Sequence, residues 1–146
     1  GGELNSVTKD KEKVAIRFAF CFPDLYEVGM SHLGMKLLYG LYNSQEDVWC
    51  ERVFMPDTDM EELMRQNGIK LFGLESRDAI DTFDFIGFTL QYELSFTAIL
   101  NMLELAGMPR TEQRTTLLYW VEGHVLIIRN QLQISLICLF WVRGKR

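Results

Sequence analysis

Three short apolar runs, Val14–Cys21, Val48–Met55 and Phe83–Leu90, recur along the chain, and a stretch with helical spacing follows each. Short apolar, β-rich runs of this kind are buried strands rather than half-exposed ones. The first is closed by Phe22-Pro23-Asp24 and leads into Val28–Tyr42, where Val28, Leu33, Leu37, Leu38 and Leu41 recur near helical spacing. Ser31 or Asp24 is the expected cap of that helix. The second run stops at Pro56, and Asp57-Thr58-Asp59 then opens a short helix over Met60–Asn67 with Gly68 just past its end. Ile69–Leu74 reads as a short edge strand. The third run is the central-strand candidate, and Leu94–Gly107 after it places Leu94, Ile99, Leu103 and Leu105 on one helical face before Pro109. Strands alternating with helices predict an open, doubly wound α/β half-sheet with parallel strands.

Composition narrows the function. The 146 residues suit one domain, and 48% hydrophobic with 24% charged residues are values of a soluble globular chain. Ten Phe, five Tyr and three Trp rule out general disorder. A net charge of -5 argues against nucleic acid, whose phosphates need a basic face. Cys21, Cys50 and Cys138 lie far apart, which is neither a disulfide framework nor a zinc site and suits a reducing cytoplasm. The polar opening GGELNSVTKDKEK lacks the apolar core of a signal peptide. Glu122, His124, Arg129 and Asn130 interrupt the hydrophobic tail, against the roughly 20 apolar residues a membrane helix needs. No membrane partner is expected.

The chain divides in charge. Up to Pro109 it is mostly acidic; from Arg110 onward six Lys or Arg stand against two Glu, and Asp is absent. Residues 1–109 therefore read as the α/β domain and 110–146 as an atypical hydrophobic and basic tail.

Ligands of such sheets bind beyond the carboxyl ends of the strands. Two loops qualify. The first carries Asp24, Tyr26, Glu27, Gly29, Ser31 and His32; the second carries Thr89, Gln91, Tyr92, Glu93 and Ser95. Carboxylates, a phenol, hydroxyls and an imidazole gather there, and helix starts offer free backbone N–H groups to anions. Each has a plainer role: Asp24 and Ser31 suit a turn and a cap, His32 a hydrogen-bonded packed residue, and Glu93 a charge at a helix N-terminus. Gly29 and Gly34 form no G-x-G-x-x-G, and no P-loop, HExxH or Ser-His-Asp order is present. The seven Met are scattered and read as packing residues. No residue is assigned as catalytic or as a metal ligand.

The segments FAFCFPDLYEVGMSHLGMKLLYGLYN, CERVFMPDTDMEELM, LFGLESR and DFIGFTLQYELSFTAILNMLELAG, taken together, resemble the N-terminal region of radical SAM proteins that carry a cobalamin-binding-like domain ahead of their iron–sulfur domain. The resemblance runs to about Pro109. It implies an incomplete flavodoxin-like (Rossmann-like) parallel sheet with flanking helices, and a parent enzyme that uses S-adenosylmethionine and a 4Fe–4S cluster held in a separate radical SAM domain, the expected partner. The leading GGELNS resembles an internal family segment, so preceding sequence is expected. Two departures stand out. The cobalamin signature D-x-H-x-x-G is absent, since Asp24 and His32 are too far apart, and so is the Cys-x3-Cys-x2-Cys of the radical SAM cluster. Cobalamin is expected to bind weakly or not at all, and the chain is not expected to perform radical chemistry by itself.

In that family LELAGMP precedes a strand and a glycine-rich loop, which are missing here. Degenerate codons for residues 119–131 can be written so that the frame displaced by two bases reads LGGGPCAYNQKP. A frameshift near Arg114–Leu117 is therefore the expected origin of the tail. Rival readings are a stand-alone flavodoxin-like domain binding a nucleotide or flavin phosphate, and a non-enzymatic module docking through the tail.

Overall fold

A computed structural model describes residues 5–90 and 95–108 and the backbone of 136–141. The elements run β1 (Ile16–Phe22), α1 (Tyr26–Ser31), α2 (Leu33–Asn43), β2 (Val48–Phe54), α3 (Thr58–Asn67), a 3-10 turn (Ile80–Thr82), β3 (Phe85–Leu90), α4 (Ser95–Leu105) and β4 (Leu136–Trp141). The sheet order is β2-β1-β3-β4. β1 pairs parallel with β2, Phe18 opposite Cys50, and parallel with β3, Phe18 opposite Phe85. The three apolar runs are thus neighbouring parallel strands, as their pattern predicts. β4 runs antiparallel on β3, from Phe85 opposite Trp141 to Leu90 opposite Leu136.

β1 sits at the centre and is buried on both faces, which is why it carries no polar alternation. One face turns Phe18, Phe20 and Phe22 against Met35 and Tyr39 of α2. The other turns Ala19 and Cys21 into a cluster with Met64 of α3 and Ile99 and Met102 of α4. Burying each large side chain contributes about 1.5–3 kcal/mol, and small residues on β1's second face make room for two helices. Among the described residues no helix is long and apolar enough to cross a membrane.

Four sequence expectations are corrected. The helix over Val28–Tyr42 is two helices, broken at His32, whose extended backbone (φ -76, ψ 115) ends α1 and starts α2. The cap of α2 is neither Ser31 nor Asp24 but His32, whose Nδ1 accepts from the Met35 N–H at 3.2 Å. Its leucine stripe faces out: Leu33, Leu37 and Leu41 are 68%, 64% and 60% exposed, because Met35 and Tyr39 occupy the sheet-facing side. Ile69–Leu74 forms no sheet strand; the segment makes one isolated bridge, Phe72 with Ala79. Its last residue, Leu74, nevertheless reaches the outer edge of β2.

That edge is closed group by group. The Val48 carbonyl accepts from Lys9 Nζ at 2.6 Å. The Asn43 side chain donates to the Cys50 carbonyl (2.9 Å) and accepts from its N–H (3.0 Å). The Arg52 N–H donates to Glu75 Oε2 (2.8 Å), and its carbonyl accepts from the Leu74 N–H (2.8 Å). An edge so satisfied offers no template to another strand.

Helix ends follow local chemistry. Asp57 caps α3 by accepting from the Thr58 N–H. Gly68 ends it at φ 63, a left-handed conformation that glycine adopts without strain.

Candidate functional site

The order β2-β1-β3 reverses direction at β1, and the crevice beyond the carboxyl ends of β1 and β3 is where such sheets hold ligands. The first loop follows β1. Asp24 acts as a turn residue: its Oδ1 accepts from the Leu25 N–H at 2.8 Å, and its carbonyl accepts from the Met55 N–H at 3.0 Å. This second bond fastens the loop to the end of β2. Ser31 Oγ donates to the Val28 carbonyl at 2.7 Å. His32 spends Nδ1 on its cap and lays its ring 5.3 Å from that of Phe22. Gly29 is a close-approach glycine, but what approaches is protein: a Cβ there would lie 2.4 Å from Phe54 Cε1. In the second loop Thr89 is buried in β3, and Ser95 starts α4 with a buried Oγ that has no hydrogen-bond partner among the described residues. Gln91, Tyr92 and Glu93 lie outside the described residues.

Tyr26 and Glu27 belong to a different setting. They line a cleft of about 420 Å³ at the carboxyl end of β2, with Arg52, Phe54, Asp57 and Met60. The Tyr26 ring stands edge-on to Phe54 at 5.3 Å. Arg52 is 5% exposed. Its Nε donates to Glu75 Oε1 at 2.7 Å, its guanidinium stacks 4.4 Å above the Tyr39 ring, and Nη1 meets only the Met30 thioether at 3.4 Å. Nη2 is buried without a hydrogen-bond partner among the described residues. Burial pushes the Glu75 carboxyl up despite the opposing Arg52 N–H and charge, and it pushes the Tyr39 phenol up to about 12. The cluster is a paired charge in a dry setting.

Sequence reasoning passed over Arg52, Asp57 and Glu75. One signal was present: Glu51-Arg52 interrupts an otherwise apolar strand, and buried charges need partners. Glu51 has its own set. Its Oε1 accepts from Arg17 Nη2 at 2.6 Å and its Oε2 from the Ser76 N–H at 2.8 Å, while Arg17 Nη1 reaches Asp78 at 3.0 Å.

The described residues contain no group of three or more His, Cys, Asp or Glu placed to hold a metal. Cys21 and Cys50 are free, buried, and on opposite faces of the sheet. Burial raises both thiols well above their ordinary value, so neither is poised as a thiolate ligand.

A family described as radical SAM proteins, N-terminal, matches residues 34–127, more than half of the chain. The matched stretch begins inside α2, so the residues from Asp24 to His32 precede it, and it continues past Pro109. No curated protein and no solved structure matches the chain.

Proposed function

The chain belongs to the radical SAM proteins as part of their N-terminal region, and we propose that it is a non-catalytic, cobalamin-binding-like α/β unit that packs beside the iron–sulfur domain of a cytoplasmic parent enzyme. The observation that carries this reading is the strand order β2-β1-β3 with helices on both faces, the start of a flavodoxin-like sheet. Family membership implies that S-adenosylmethionine and an iron–sulfur cluster supply the chemistry of the full protein. The described residues do not fit that cluster, which needs neighbouring thiolates; Cys21 and Cys50 face away from each other across the sheet.

Cobalamin fits poorly as well. A protein imidazole that held the cobalt would need a free nitrogen lone pair, and His32, the one histidine among the described residues, commits Nδ1 to α2 and packs its ring on Phe22. The glycine-rich loop that would let backbone approach a corrinoid closely has no counterpart in the sequence. Corrinoid binding by this chain is therefore weak or lost. Titration with hydroxocobalamin, followed by its visible spectrum, tests this: no shift is expected at micromolar protein, and a saturating micromolar shift overturns it.

The tail belongs to the same proposal. Residues 110–146 are read as translated out of frame, supported by the change of charge and by the displaced frame LGGGPCAYNQKP. β4 adds support because it runs against three parallel strands, where a further strand–helix–strand unit would add a parallel one. The family match to residue 127 is the observation set against it. Sequencing the coding DNA around Arg110 decides between them.

A further inference from the structure

We propose that the outer face of α2 is a self-association surface, on which a second copy of this chain lays its own α2 antiparallel about a twofold axis. The surface is separate from the β1/β3 crevice and independent of the corrinoid reading. α2 turns Met35 and Tyr39 to the sheet. Leu33, Leu37 and Leu41 lie about 160–240° around the helix from Met35, so the exposed leucines point straight away from the sheet. A further helix laid on the same sheet face would meet the flank of α2 and miss this row. Its cover must come as a third layer, and a contiguous exposed apolar row marks such a contact. Gly40 is a second, independent observation. It lies one turn after Leu37 and is exposed, its φ is ordinary, and a Cβ there would meet nothing within 4 Å. Glycine weakens a helix interior relative to alanine, and no contact among the described residues requires it here. A partner helix passing close over the backbone does.

Charge selects the partner and its direction. Lys36 is the one charged residue of α2, is exposed, and has no ion pair among the described residues. Glu46 and Asp47, both exposed, follow the carboxyl end of the helix, where the helix dipole is negative as well. A parallel copy would set Lys36 beside its own equivalent. An antiparallel copy brings Leu37 opposite Leu41 of the partner subunit and carries Lys36 toward Glu46 of the partner subunit, once on each side of the axis. The surface thus complements itself, as a twofold contact requires. The 11 residues of α2 span only about 16 Å. Such a pair buries less than the roughly 800 Å² per partner of a standard interface, so the association is weak and depends on concentration.

The test is sedimentation equilibrium of the full chain at rising concentration, with NMR shifts of the α2 amides followed in parallel. A reversible dimer is expected, with shifts concentrated in α2 and residues 44–47. Leu37→Glu should weaken it at least about tenfold, the loss of one buried leucine contact. Gly40→Gln meets nothing within the chain, so it should raise the melting temperature while weakening association at least about tenfold. A surface helix without a partner would show the first effect and not the second. Lys36→Glu and Glu46→Lys should each weaken association severalfold, and mixing the two variants should restore it, because each copy then meets opposite charge. A chain that stays monomeric with concentration-independent shifts overturns the proposal, whether the leucines remain bare or the tail or another protein covers them. So does a dimer whose affinity Leu37→Glu and Gly40→Gln leave unchanged.

Discussion

The two outer edges of the parallel sheet are finished in opposite ways. β2 is sealed mainly by side chains from separate parts of the chain: Lys9 takes the Val48 carbonyl, Asn43 both backbone groups of Cys50 and Glu75 the Arg52 N–H, while the Leu74 N–H takes the Arg52 carbonyl. β3 is covered by one long backbone ladder from β4, a strand of apolar composition separated from it by much of the tail. The first edge is specified residue by residue, and the second needs only a strand of adequate length and hydrophobicity. Specific polar partners make a unique arrangement, whereas a bare ladder tolerates slippage.

The sharpest way to break this comparison is Glu51→Ala. It removes the buried one of two carboxylates paired with the Arg17 guanidinium, which lies 5.2 and 4.2 Å from the ring centres of Trp49 and Phe83 and keeps Asp78 at 3.0 Å. Breaking a buried pair outright costs about 3–5 kcal/mol, and the remaining Asp78 contact puts the expected loss at about 3 kcal/mol, the low end; Lys70→Ala, which removes an exposed pair with Asp81, should cost at most about 1 kcal/mol. Urea unfolding of both variants measures the gap, and equal losses would show that the buried Glu51–Arg17 pair contributes no more than a surface one. Next in size is the β3 edge. A chain ended at Arg110 and one with the displaced frame restored are compared with the original by thermal melt and sedimentation. The restored frame should melt most cooperatively and aggregate least. If the original does, β4 is a native element and the out-of-frame reading fails.

Asn43→Ala should cost about 1–3 kcal/mol, since it leaves both backbone groups of Cys50 without their partner; hydrogen exchange at the Cys50 amide should rise in step. His32→Ala tests a position away from both edges and should cost about 1 kcal/mol through the lost cap. The smallest effect is in acid. Burial works against the Asp78 charge, but the Lys11 hydrogen bond and the Arg17 charge outweigh it and lower the carboxyl below its ordinary 3.8. A lowered folded value contributes stability above the ordinary one, and that contribution disappears as pH falls through the folded value. Asp78→Asn should therefore lose stability relative to the original at neutral pH, with the gap closing as the melt is repeated at lower pH.

Strands were legible because apolar runs such as FAFCF and FIGFTL allow few other fates. Which helix face is buried was not. In α2 leucine and tyrosine both recur at helical spacing, and only the sheet selects Tyr39, whose hydroxyl accepts from the Val7 N–H at 2.8 Å. The break at His32 was equally hidden, since a histidine cap is a less common choice than Ser or Asp. The cleft escaped for a different reason. Its parts, Glu27, Arg52 and Asp57, come from three separate elements, and spacing along one chain does not reveal what a crossover brings together.

β1 occupies the centre of the three parallel strands, yet it is the first of them along the chain. Its partners come later: β2 after the α1–α2 pair, and β3 only after β2 and α3 as well. Closing the shorter loop costs less entropy, and long-range parallel pairing is slow. During synthesis the β1–β2 unit can close while β3 is still being made. Until residues 85–90 emerge, the phenylalanine-rich strand has one neighbour and one open side, and the speed with which residues 55–84 become ordered sets how long it stays exposed to other chains.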